Sequence, residues 1–118
     1  MTLRLNRLTS ELSVSPQLEF TDLADAKAAG FASIISNRPD FEGGPVQPTA
    51  AQMAEHAAAL GLHFAYLPVA PAVQSPEEIA RFAELMQDLP KPILAYCRSG
   101  ARSSKLAAGA FELLSKNN

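Results

Sequence analysis

One cysteine in 118 residues, two histidines and no tryptophan leave little material for disulfide or metal chemistry. A lone cysteine forms no internal disulfide, and a reduced cytosolic thiol is its natural reading. His56 and His63, in "AAQMAEHAAALGLHF", have no ligand spacing to each other or to Cys97. They are expected to be surface or packing residues, with no metal and no cofactor implied. Basic excess is missing too: the net charge of -2 argues against nucleic acid as a partner. No apolar run approaches the ~18 residues of a membrane span, and "MTLRLNRLTSEL" lacks the continuous apolar stretch of a secretory signal. A cytoplasmic protein that does not engage a membrane is expected.

What is present is ordinary globular composition, 47% hydrophobic and 19% charged, in a chain long enough for one domain over residues 1–118. "RLTSELSVSPQ" alternates weakly at Leu8, Leu12 and Val14, as a short edge strand or hairpin does. "FTDLADAKAAGF" predicts a helix that Thr21 can cap and that Gly30 can end. "FASIIS" predicts a buried strand, and "NRPDFEGGPVQP" has too much proline and glycine for either regular element. Thr49 and Gln52 form a capping box for a helix ending before Gly61. "LHFAYLPV" alternates as a strand. Ser75, Pro76 and Glu78 open another helix, Ile93–Tyr96 a last strand, and Ser103–Leu114 a last helix. Strands alternating with helices through short connections imply a three-layer α/β fold, its mainly parallel central sheet of four or five strands covered by helices on both faces.

Functional loops of such sheets lie at the carboxyl ends of the strands, which gathers Asn37–Pro48, Val69–Gln74 and Cys97–Arg102 on one rim. In "PILAYCRSGARSSKLAAGAF" the only thiol sits at a strand-to-helix junction between Arg98 and Arg102. The N–H groups of Arg98, Ser99, Gly100, Ala101 and Ser103 can converge there as an anion nest, with the helix N-terminus adding positive charge. Gly100 permits the backbone angles such a loop needs. Arg102 can fold back across the mouth as a planar fork for an oxyanion, while Arg98 supplies longer-range attraction. Ser103 and Ser104 can cap the helix. The thiol pKa is expected to fall below ~8.5, making Cys97 a nucleophile. On the first rim loop, Asn37 and Arg38 are candidates to reach a bound anion. Asp40 can pair with an arginine or serve as an acid, although turn chemistry alone also explains this segment.

"CRSGARS" after an apolar strand resembles the active-site loop of rhodanese-type sulfurtransferases, where a cysteine, four residues and an arginine form an anion cradle. From "LSVSPQ" through "GFASIISNRPD" to "PILAYCRSGARS", the chain is similar to the phosphatase-like domain family of beta-lactamase hydrolase-like proteins. That resemblance implies a protein-phosphatase-like fold and a cysteine-dependent site built on Cys97 and Arg102. It also implies a small anionic substrate (thiosulfate, a persulfide or a phosphate ester) and a persulfide dioxygenase as a possible associate. Tyrosine and dual-specificity phosphatases place five residues between cysteine and arginine, usually after a histidine. Here Arg102 comes one place early, and Tyr96 precedes the cysteine. Phosphatases also protonate the leaving alcohol from a loop that here reads "VAPAVQS", without a carboxylate. Glu77 and Glu78 at the start of the following helix, and Asp40 and Glu42 on the other rim loop, could substitute, but none is in the expected place. Sulfur transfer makes no such demand, so the residues favour a sulfurtransferase with a cysteine persulfide intermediate. A phosphatase is the alternative, and a non-catalytic anion- or persulfide-binding module is a third reading. The donor, the acceptor and the oligomeric state are not legible in the sequence.

Overall fold

The structure, a computed structural model, describes residues 3–116. Five strands, β1 (Asn6–Arg7), β2 (Leu12–Ser15), β3 (Ser33–Ser36), β4 (His63–Tyr66) and β5 (Ile93–Tyr96), form one sheet in the order β1-β2-β5-β3-β4. Only the β1–β2 pair is antiparallel; the β2–β5, β5–β3 and β3–β4 pairs are parallel. The helices are α1 (Phe20–Ala28), α2 (Ala50–Ala59), α3 (Pro76–Asp88) and α4 (Ala101–Lys116). The expected three-layer α/β fold is the one observed. None of these helices is long and apolar enough to cross a membrane.

Side-chain alternation along the strands explains the layers. On β5, Ile93 and Ala95 join Leu12, Val14 and Ile35 against Phe82, Leu106 and Ala110 of α3 and α4. Leu94 and Tyr96 turn the other way with Ile34, meeting Leu23, Ala26, Met53 and Ala57 of α1 and α2. A strand apolar on both faces must lie in the middle, and every residue of β3 and β5 is buried. Edge strand β4 is correspondingly half exposed.

Local chemistry sets the boundaries. The Thr49–Gln52 box forms as expected: Thr49 Oγ1 accepts from Gln52 N at 3.2 Å, and Gln52 Oε1 accepts from Thr49 N at 3.0 Å. Ser75 and Glu78 do the same for α3, at 3.1 and 2.8 Å. Two details differ from expectation. Helix α1 starts one residue before Thr21, with Glu19 at its cap and its N–H bonded to Asp22 Oδ2 at 2.7 Å. The "RLTSELSVSPQ" segment is a hairpin, but its second strand is interior, because two-residue β1 covers its outer edge.

Helices α3 and α4 touch where Gly109 leaves space. A Cβ there would lie 2.9 to 3.2 Å from three Ile79 side-chain carbons. Gly109→Val therefore overpacks this contact and is expected to lower stability by about 1–3 kcal/mol, read as a reduced urea midpoint at unchanged m.

Candidate active site

Strand β5 ends in the middle of the sheet, so the chain beyond Tyr96 emerges between the ends of β2 and β3. Cys97 is fully buried there. The chain then turns through Gly100, whose φ of 96° is a left-handed value that side chains resist. A Cβ on Gly100 would also meet the Ser15 carbonyl at 3.4 Å. This turn brings the Gly100 N–H to 3.1 Å from Cys97 Sγ. Gln17 N donates to the Arg98 carbonyl at 3.3 Å, tying the loop to the segment after β2.

Burial pushes the Cys97 thiol pKa up, but the amides of Ser103, Gly100 and Arg102 oppose it, and the net shift is downward. Helix α4 begins at Ala101, two residues earlier than expected, so Arg102 and Ser103 lie in its first turn. Ser103 and Ser104 are thus not caps. Ser99 Oγ accepts from Ala101 N at 3.3 Å instead.

Asn37 is buried directly after β3 and orients Ser103. Its Nδ2 donates to the Leu67 carbonyl at 3.0 Å, which turns Oδ1 toward the Ser103 hydroxyl that donates to it at 2.8 Å. Asn37 thus supports the loop through Ser103.

Arg102 is only 6% exposed. Its Nη1 donates to Glu42 Oε2 at 2.8 Å and to the Val69 carbonyl at 3.1 Å; Nη2 donates to Glu42 Oε1 at 2.7 Å. Three of its five N–H donors are used in these bonds, leaving Nε–H and one Nη2–H. Glu42 and Cys97 both favour the charged guanidinium. Arg102 in turn holds the Glu42 carboxyl far down, at about 2 against a usual 4.5, with burial opposing and Arg38 assisting.

The first rim loop is shaped to make this pair. Phe41 adopts φ 65°, rare for a residue other than glycine, just before Glu42. Buried Gln47 braces the loop by accepting from Gly43 N at 2.7 Å and donating to the Pro39 carbonyl at 2.9 Å. Arg38 donates to Glu42 at 2.9 Å and to Gln17 at 3.1 Å. Asp40 accepts from Ala50 N at 2.8 Å, at the start of α2. Arg38 and Asp40 are therefore engaged in holding the loop, Arg38 through Glu42 and Gln17 and Asp40 at the start of α2. Arg98, Ser99 and Ala101 stay exposed at the mouth, an open pocket of about 340 Å³ also lined by Glu42, Arg102 and Lys105.

Sequence reasoning gives Glu42 only the part of an acid, and it misses Lys105. Lys105 was findable, since a residue three places after Arg102 shares its helix face. Nothing in the irregular 37–48 loop announces that Glu42 reaches a residue 60 positions away.

Over residues 4–111 the chain matches the family described as "Beta-lactamase hydrolase-like protein, phosphatase-like domain". The chain belongs to this family. A beta-lactamase hydrolase-like protein of Agrobacterium fabrum is 32% identical over 100 residues, which is 85% of this chain but 23% of that protein. The chain therefore spans about a quarter of the length of that curated relative. A provisionally named phosphatase from Neisseria meningitidis superposes with a TM-score of 0.79 at 35% identity, covering 85% of this chain and 70% of that one. A second, from Shewanella putrefaciens, shares the fold at TM-score 0.75 and 21% identity, over 90% of this chain and 66% of its own. The phosphatase-like fold expected from sequence is present. The comparisons weigh toward phosphatase chemistry, which the sequence had placed second to sulfur transfer.

Two measurements check the electrostatics. The single thiol makes thiolate absorbance against pH assignable to Cys97, and its midpoint is expected below that of an ordinary thiol; a midpoint at or above that value removes the case for activation. Glu42 tests the loop pair. Its folded pKa lies below its unfolded value, so its contribution to stability is complete above about 4.5 and is lost as pH falls toward about 2. Glu42→Gln is expected to flatten the fall of Tm across that window.

Proposed function

We propose that this protein is a cysteine-dependent phosphatase acting on small phosphorylated compounds. The observation that carries the reading is the buried Cys97 thiol ringed by the amides of Gly100, Arg102 and Ser103, beside a guanidinium with two unused donors. Family membership supports it. In the reaction, the thiolate attacks phosphorus, an S–P bond forms, and the P–O bond to the leaving group breaks with its electron pair going to that oxygen. Water then attacks the cysteinyl phosphate, releasing inorganic phosphate and a proton and returning the thiolate. The loop amides and Arg102 neutralise the non-bridging oxygens as charge redistributes.

Proton supply limits the substrates. Glu42, with its pKa held at about 2, is ionised at neutral pH and cannot act as the acid. Asp40 is occupied at the start of α2. Leaving groups that depart as weak bases, such as phenolates, suit this site better than alkoxides. Glu42 serves instead to hold Arg102 in place.

Sulfur transfer remains the second reading, favoured by the four residues between Cys97 and Arg102 and by the same shortage of acid. Steady-state assays with an aryl phosphate, and separately with thiosulfate plus cyanide, discriminate. The aryl phosphate is expected to turn over, and Cys97→Ser to abolish that turnover while leaving the urea midpoint nearly unchanged. Sulfur transfer without phosphate release contradicts the proposal. Activity of the serine variant within a few-fold of the parent ends the covalent mechanism in either form.

A further inference from the structure

The mouth of the site carries charge that the reacting phosphoryl group does not use. Arg98, Arg102 and Lys105 line the pocket, and Glu42 is the only carboxylate lining it among the described residues. The chain as a whole is net negative at -2, so this pocket, at a formal +2, is a local reversal of sign. Glu42 and Arg102 satisfy each other at 2.7 Å. Arg98 and Lys105 are exposed and take part in no ion pair among the described residues. They flank the loop on two elements, Arg98 directly after Cys97 and Lys105 one turn into α4 beyond Arg102.

Resting on the phosphatase reading above, we infer that Arg98 and Lys105 form a second anion subsite, and that the substrate class is the phosphoanhydride. Such a substrate carries one phosphoryl group to the loop and a second, still ionised, to the rim cations. The same choice resolves the missing acid. When the Cys97 thiolate attacks the terminal phosphorus, the anhydride P–O bond breaks and its electron pair departs on the inner phosphate, a weak base needing no proton from the protein. Water then cleaves the S–P bond as before, giving inorganic phosphate and a proton to solvent. The cations at the mouth favour the charge that collects on the leaving group, so they act on the transition state as well as on binding.

Binding to the Cys97→Ser protein separates the subsite from turnover. Titration calorimetry at about 0.15 M salt limits the influence of distant charges, with the Debye length near 8 Å. Inorganic phosphate and pyrophosphate are the probes. Pyrophosphate is expected to bind about tenfold tighter than phosphate. Adding Arg98→Ala and Lys105→Ala removes that advantage, while phosphate affinity changes by less than about threefold. Both side chains are exposed, and circular dichroism confirms that the fold is kept. Pyrophosphate binding no tighter than phosphate, or both anions weakening by the same factor, overturns the subsite and leaves the phosphatase reading standing. Failure of both anions to bind the Cys97→Ser protein overturns the subsite and the phosphatase reading together.

Discussion

A guanidinium taken out of water must keep its hydrogen bonds, and Arg102 organises the site because it obeys that rule. It lies in the first turn of α4, beside the thiol, with almost no exposed surface. Its partners come from the other two rim segments: the Glu42 carboxylate from the loop after β3, and the Val69 carbonyl from the segment after β4. One side chain thus ties three strand ends together. The left-handed backbone at Phe41 and the bracing by Gln47 answer the need to deliver Glu42 to that guanidinium.

The same arrangement divides labour between charge and proton. Cys97 needs donors that favour its anion, and the tight turn at Gly100 supplies amides at the cost of a backbone angle best suited to glycine. Glu42, the carboxylate at the pocket, is held ionised well below the usual carboxylate range by Arg102 and Arg38 beside it. On the phosphatase proposal, a site rich in positive charge and poor in acids favours substrates whose leaving group is a weak base. This electrostatic balance unites the buried loop with the exposed cations at its mouth.

Most of the frame is legible in the sequence because it rests on local chemistry. The capping boxes at Thr49 and Ser75, the apolar runs of β3 and β5, and the strand–glycine–helix junction at Cys97 each act within a few residues. The parts that were not legible depend on contacts far apart in the chain. In the sequence Arg38 is a candidate to reach an anion and Asp40 a candidate arginine partner or acid, yet Arg38 bonds to Glu42 and Gln17 and Asp40 to the start of α2. Glu42 became a partner of Arg102 only once folding brought residues 60 positions apart together. The preference for sulfur transfer came from counting four residues in the loop and from the shortage of acid. The fold leaves that shortage in place, with Glu42 paired to Arg102 and Asp40 bonded at the start of α2, and the phosphatase proposal draws its support from the family and its solved relatives.

The central claim is that the Cys97 sulfur accepts a phosphoryl group. Intact-protein mass spectrometry after rapid acid quench, during turnover of an aryl phosphate, addresses it directly, since the chain has a single cysteine to carry the adduct. The account predicts a transient gain of about 80 Da that maps to Cys97 and is absent from Cys97→Ser. Under thiosulfate, a stable gain of about 32 Da on Cys97, with no phosphoryl adduct under aryl phosphate, contradicts it and assigns the thiol to sulfur transfer.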